Sequence, residues 1–129
     1  YRVLPPEINS ARLLLGSGAE PMLNASAGWK ALATDLGSAA ASFSTATSEL
    51  AGAGWQGPAS AAMVRAAAPY VEWLKTASLQ AEQSASQMLV TAAAFEAALA
   101  ATVPPQVIEA NRRRFESLVL SNLLGQNCP

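Results

Sequence analysis

A repeat of seven residues runs through positions 22–50 of the chain. Large apolar side chains recur there at one position of every heptad: Met22, Trp29, Leu36, Phe43 and Leu50. Mostly small residues, chiefly Ala, Ser and Thr, stand at the second position of each heptad. Such a repeat is typical of a helix that packs along another helix. The small residues further predict that the two helices approach each other closely.

Proline and glycine residues divide the chain into four predicted helices. These are expected at about residues 6–15, 21–51, 58–101 and 105–122, with Pro69 inside the third. A glycine-rich turn at 52–57 joins the second helix to the third, which predicts an antiparallel hairpin. In the third helix, one apolar seam runs from Ala67 to Leu99 and a second apolar face runs from Met63 to Ala77.

The predicted fold is all-α, an elongated antiparallel helical hairpin with short flanking helices. At 1.5 Å per residue, the third helix would be roughly 65 Å long and the fourth only about 25 Å. The fourth helix therefore cannot cover the apolar flank of the third. Exposed apolar surface of that extent usually marks an interface, so we expect a partner chain to complete a four-helix bundle. A homodimer satisfies this geometry as well as a heterodimer does.

Composition excludes most kinds of catalytic site. The 129 residues include no His and a single cysteine, Cys128, so neither a Ser-His-Asp triad nor a Cys/His metal site can form. Asp35 is the sole Asp, and no carboxylate pair suggests acid–base chemistry. We expect no enzymatic activity, no cofactor and no metal.

Charge and hydropathy argue against nucleic acid as a partner and against a segment that spans a membrane. The net charge is −1, and the run Arg112-Arg113-Arg114 fans out around a helix instead of forming one basic stripe. An ion pair between Glu109 and Arg113 is expected on that solvated face. The sequence contains no classical cleaved signal and no uninterrupted apolar run of about 18 residues, so no transmembrane segment is expected.

Four short motifs, in order along the chain, resemble the mycobacterial PPE family. The first is Pro5-Pro6-Glu7, and the second is the WxG turn formed by Trp55, Gln56 and Gly57. The third spans residues 103–112 and the fourth spans residues 122–127. Each motif is weak alone, but their order and separation over nearly all 129 residues make the resemblance specific.

The resemblance implies a single PPE-like helical domain over residues 1–129 that lacks the family's fifth helix and its variable C-terminal region. It implies a heterodimer with a PE-family protein and export through a type VII (ESX) secretion system. The protein would be cytosolic before export, and afterwards secreted or associated with the cell envelope. The WxG turn would lie near the partner's secretion motif.

The resemblance also implies two sets of contact residues. The interface with the PE partner would draw on heptad residues, about half of which are expected to serve the chain's own core: Trp29, Leu36, Phe43, Val71, Leu74, Met88 and Phe95. An EspG-type cytosolic chaperone would bind the tip that follows the fourth helix: Asn122, Leu123, Leu124, Gly125, Gln126 and Asn127. Two other readings stay open, a homodimeric helical bundle and a protein lying on the membrane surface of the cell envelope.

Overall fold

A computed structural model describes residues 3–52 and 54–125 of the chain. Within these residues the structure is entirely helical, with no strand. The four helices are α1 (Pro6–Leu14), α2 (Glu20–Gly52), α3 (Pro58–Ala100) and α4 (Pro105–Leu120). The prediction of an all-α fold built on a long helical hairpin is confirmed, with helix ends within about two residues of those expected.

Prolines stand at helix starts, and glycines lie in the segments that follow the helices. Pro6 and Pro105 each stand in the first turn of a helix, where a missing N–H costs nothing. Gly18 and Gly125, with positive φ angles of 70° and 78°, lie four and five residues beyond the last residues of α1 and α4. Pro69 lies inside α3 without ending it.

The chain divides into two compact units. One comprises the residues up to Ala19 together with those from Ala93 onward, and contains α1 and α4. The other comprises Glu20–Ala92 and contains the α2–α3 hairpin. Helix α3 contributes residues to both units.

Small residues, not large ones, form most of the interior of the α2–α3 hairpin. In α2 the buried residues recur every seven positions, at Ser26, Ala33 and Ala40. The seam predicted for α3 is buried or half-buried throughout, with Val71 and Leu74 packed against Ala40. Of the large heptad residues of α2, Trp29, Phe43 and Leu50 are exposed, while Met22 and Leu36 are half-buried. Alanine faces let two helix backbones come close together, which leaves no room for large side chains between them.

Two hydroxyl groups bond the helices of the hairpin to each other in antiparallel order. Ser26 Oγ in α2 donates to the carbonyl oxygen of Ala85 at 2.9 Å, and Ser78 Oγ in α3 donates to that of Ala33 at 2.7 Å. A Cβ added at Gly37 would lie 3.5 Å from Ser78 Oγ, so the backbones are close at this level. Because each hydroxyl reaches a specific carbonyl, these bonds favour one register of the hairpin.

Candidate interaction surfaces

Three aromatic rings form a cluster on the outer surface of the α2–α3 hairpin. The rings of Phe43 and Tyr70 meet edge to face with centroids 5.0 Å apart. Tyr70 stacks on Trp73 at a centroid distance of 5.9 Å and an interplanar angle of 16°. All three residues are exposed, and Trp73 retains 60% of its accessible surface. Phe43, Tyr70 and Trp73 are called the aromatic cluster below.

The aromatic cluster includes residues that the sequence had marked only in part. Phe43 was expected at an interface from its heptad position. Tyr70 and Trp73 belong to the second apolar face of α3, which was visible in the sequence but not assigned to a site. Their grouping depends on the pairing of α2 with α3, because Phe43 lies on one helix and the two others lie on the next.

The heptad residues proposed for a partner interface fall into three classes of exposure. Trp29 and Phe43 are exposed, and Trp29 borders a shallow apolar depression with Ala25, Gly28 and Leu32. Val71 and Leu74 are buried in the hairpin's own core, which fits the core role that the heptad pattern left open. The half-buried residues are Leu36, Met88 and Phe95. The assignment of the set to a partner interface stays a prediction.

The turn between α2 and α3 exposes the residues of the WxG motif. Trp55, Gln56 and Gly57 all lie at the surface. Gly54 and Gly57 have positive φ angles of 110° and 120°, a region in which side chains are strained. The neighbouring Ala53 lies outside the described residues. The turn therefore depends on glycine on both sides of Trp55.

In the unit that contains α1 and α4, an ion pair joins the two helices. Arg112 donates two parallel hydrogen bonds to the carboxylate of Glu7, at 2.7 and 2.9 Å. Bidentate pairing of this kind fixes geometry as well as adding electrostatic attraction. The Glu7 side chain is only 17% exposed. Glu7 is the acidic residue of the Pro-Pro-Glu motif, so that motif contributes a contact between helices in addition to a helix start.

Backbone hydrogen bonding and the guanidinium of Arg112 determine the charge state of Glu7. The carboxylate is hydrogen-bonded to the backbone amide of Glu7 itself, at the start of α1, and this bond is the largest cause that lowers its pKa. The hydrogen bond from Arg112 lowers the pKa further. Glu7 is therefore ionised at neutral pH, as the ion pair requires.

A second contact holds the segment that leads into α4. Ser10, the buried residue of α1, donates its hydroxyl to the carbonyl oxygen of Val103. The expected pair between Glu109 and Arg113 is present at 4.0 Å on the exposed face of α4. Sequence reasoning missed the pairing of Arg112 with Glu7, because these residues are 105 positions apart and no local spacing relates them.

Two exposed leucines follow α4 in the described part of the chain. Leu123 and Leu124 are 87% and 94% exposed, and Gly125 follows with a positive φ of 78°. Asn122 is half-buried. Gln126 and Asn127, which complete the predicted chaperone site, lie outside the described residues. The leucines at 123 and 124 are called the apolar tip below.

Two further features of the described residues concern a metal site and a helix that could span a membrane. No group of three or more His, Cys, Asp or Glu side chains within residues 3–52 and 54–125 could hold a metal ion. The stretch Pro58–Leu120 contains a window with a mean hydropathy of 1.4, of which 6% is buried, and is long enough to cross a membrane. A single stretch that qualifies by length and composition alone is weak evidence for a membrane span.

These features define a helical-hairpin protein with small residues inside and aromatic residues outside. The model of the PPE family matches residues 1–129, and the chain belongs to the PPE family.

Relatives in two mycobacterial species match the whole chain. It is 62% identical over 129 residues to the uncharacterized PPE family protein PPE21 of Mycobacterium tuberculosis, and 57% identical over 129 residues to PPE42 of the same species. It is 52% identical over 129 residues to PPE45 of Mycobacterium bovis. In each comparison all of this chain is covered, but it spans only 19%, 22% and 32% of these relatives' lengths. The names of these relatives state no enzymatic activity.

Proposed function

We propose that this chain is a non-enzymatic interaction module that pairs with a PE-family protein and is exported with it by a type VII (ESX) secretion system. The observation that carries the proposal is the arrangement of the α2–α3 hairpin, whose small residues are inside and whose aromatic cluster is exposed. Large aromatic side chains are enriched among the residues that contribute most to protein interfaces. Membership of the PPE family supports the identity of the partner.

The partner would cover apolar side chains that the hairpin leaves in water. Trp29 and Leu32 on α2 are exposed in addition to the aromatic cluster. Two helices of a PE-family protein laid along the hairpin would bury these side chains and complete a four-helix bundle. The hydrophobic effect would then drive the association.

A chaperone of the EspG type would bind the apolar tip before export. Two adjacent leucines that are almost fully exposed are unfavourable in water and suit a hydrophobic contact with a partner. Covering the tip would keep the pair soluble in the cytosol. After export the pair would be secreted or held at the cell envelope.

Pairing is tested by light scattering on a sizing column, with the chain expressed alone and together with candidate PE-family proteins. We expect a 1:1 complex with one partner and aggregation without it. A monodisperse monomer or homodimer that forms no complex with any PE-family protein would overturn the proposal. Co-sedimentation of the purified protein with liposomes tests the alternative of a membrane-surface protein. Sedimentation with liposomes, together with no complex with any PE-family protein, would favour that alternative.

A pair of matched variants locates the interface. Phe43→Glu places a charge within the aromatic cluster, whereas Ser38→Glu places the same charge at an exposed position about 140° away around α2. We expect Phe43→Glu to abolish the 1:1 complex and Ser38→Glu to preserve it. If both variants keep the complex or both lose it, the aromatic cluster is not the part of the surface that the partner contacts.

Chaperone binding and export need separate measurements. Leu123→Ser with Leu124→Ser should abolish capture by an EspG-type chaperone, while Leu120→Ser, at another exposed leucine of the same unit, should retain it. Export is tested by comparing culture filtrates of mycobacterial strains with and without each ESX system. Release that is independent of every ESX system would contradict the secretion step.

A further inference from the structure

Helix α4 contributes nothing to the interior of its unit. None of its residues, all of which the structure describes, is buried, and only Pro105 and Ile108 are half-buried. A helix without buried residues is not oriented by core packing. Its direction must depend on the specific contacts that it makes with α1.

Polar contacts well separated along the chain attach α4 and its leading segment to α1. The first joins Ser10 to the carbonyl oxygen of Val103, just before α4 begins. The second joins Glu7 to Arg112, two turns into α4. Arg112 is nine positions beyond Val103 and seven beyond Pro105, where α4 begins, so the second contact lies roughly 10 Å along the helix. One contact would let α4 pivot about its start, whereas two contacts so far apart fix the direction of a rigid rod.

We propose that Glu7 is a positioning residue for the apolar tip. Through its bidentate bonds with Arg112, Glu7 fixes the direction of α4 and so determines where Leu123 and Leu124 are presented to a chaperone. This inference rests on the proposed chaperone function of the tip. Leu120, the last residue of α4, lies eight residues beyond Arg112, roughly 12 Å along the helix, and the apolar tip follows it, so a small rotation at Arg112 becomes a larger displacement at the tip.

Features around Glu7 suit it to hold Arg112 in one orientation. Pro5 and Pro6 fix the backbone where α1 begins, and the Pro5 carbonyl accepts hydrogen bonds from the amides of Ile8 and Asn9. The Glu7 carboxylate is therefore held at a rigid helix start. A planar guanidinium that binds both carboxylate oxygens is restricted in angle as well as in distance.

A distance measurement tests the positioning without a chaperone. The 129-residue chain, with Cys128→Ser and in complex with its PE-family partner, carries spin labels at Leu15→Cys and Leu120→Cys, both exposed positions. We expect one narrow distance distribution, broadened by Glu7→Gln and equally by Arg112→Gln. The double variant should be no broader than either single variant, because both remove the same contact. An unchanged distribution in Glu7→Gln would overturn the proposal.

The matched control is Glu109→Gln. It removes the same charge from an ion pair that lies entirely within α4 and does not reach α1. We expect its distance distribution to equal that of the parent. Broadening by Glu109→Gln as large as that of Glu7→Gln would attribute the effect to net charge and overturn the proposal.

Affinity for an EspG-type chaperone, measured on the same complexes without spin labels, tests whether the direction of α4 affects binding. Glu7→Gln should weaken binding about three- to fivefold, with no change for Glu109→Gln. Broadened distances with unchanged affinity, or weakened affinity with unchanged distances, would each overturn the positioning role. If the parent complex itself binds no chaperone, the proposed chaperone function fails, while the distance measurement still decides whether Glu7 orients α4.

Discussion

The hydroxyl of Ser26 donates a hydrogen bond of 2.9 Å to the carbonyl oxygen of Ala85 within the buried interior of the α2–α3 hairpin. Replacement by alanine removes this bond, and we expect Ser26→Ala to lower the free energy of unfolding by about 0.5–1.5 kcal/mol. Urea unfolding followed by circular dichroism measures the change. Ser86→Ala is the control, because Ser86 is exposed and bonds only to a carbonyl of its own helix. An equal loss of stability in both variants would mean that the hydrogen bond between the two helices does not stabilise the hairpin.

Ala40 should tolerate no larger side chain. It is 3% exposed and packs against Val71 and Leu74. We expect Ala40→Leu to destabilise the hairpin by about 1–3 kcal/mol, because the added atoms force the two helices apart. Ala39→Leu, at the exposed neighbouring position, should leave the midpoint of thermal unfolding nearly unchanged. A stable Ala40→Leu variant would show that the small-residue interior has spare volume.

Trp73 and Leu74 are neighbours with opposite surroundings, one exposed and the other only 5% exposed. Leu74→Ala should lower the free energy of unfolding by about 2–5 kcal/mol, since it leaves a cavity in the core. Trp73→Ala should lower the free energy of unfolding by less than about 1.5 kcal/mol, which is the most that a contact between two aromatic rings usually contributes. It should nevertheless weaken the complex with a PE-family protein. Chemical unfolding and titration calorimetry separate the two effects. A Trp73→Ala variant that pairs normally would remove this residue from the interface.

Gly57 and Gly28 should respond oppositely to alanine. A Cβ added at either position would meet nothing within 4 Å, so the backbone alone decides the outcome. Gly57 has a φ of 120°, and we expect Gly57→Ala to cost about 1–3 kcal/mol in free energy of unfolding. Gly28 lies within α2, where we expect Gly28→Ala to raise the free energy of unfolding by about 0.5–1 kcal/mol. A shift of both melting temperatures in the same direction would contradict this explanation of the turn.

The ion pair of Glu7 with Arg112 should weaken only in acid. The pKa of Glu7 is lowered from its ordinary value of 4.5, so its contribution to stability is fully present above that pH. The contribution is lost as the pH falls through the lowered pKa of the folded state. We therefore expect the difference in stability between the parent and Glu7→Gln to be constant from pH 6 to about pH 5 and to vanish in stronger acid. Thermal melts of both proteins across this range measure it, and a difference that grows in acid would contradict the sign.

The helices themselves were predictable because their signals are local. Proline at a helix start and glycine beyond a helix end act on the backbone within one or two residues. The seam of α3 was predictable for a similar reason, since alternating steps of three and four residues place side chains on one face of a helix. The pair of Glu109 with Arg113 also follows from spacing along one helix.

Which large residues of the hairpin are exposed was not predictable from the repeat. Both positions of each heptad in α2 are compatible with an interior, and the pattern does not say which position the neighbouring helix covers. The answer depends on how closely α2 and α3 approach, and that distance is set by Ala33, Ala40 and Ala81 together. Because the backbones are close, Trp29 and Phe43 remain outside.

The sequence by itself determined the number of helices, their ends, the antiparallel hairpin and the resemblance to the PPE family. The helices, their ends and the hairpin depend on residues near one another along the chain, and the resemblance depends on the order of four short motifs. The tertiary structure alone decided that Phe43 meets Tyr70, that Ser26 bonds to Ala85 and that Glu7 binds Arg112. These contacts join residues 27, 59 and 105 positions apart, and the chain packing that brings them together leaves no periodic signal in the sequence.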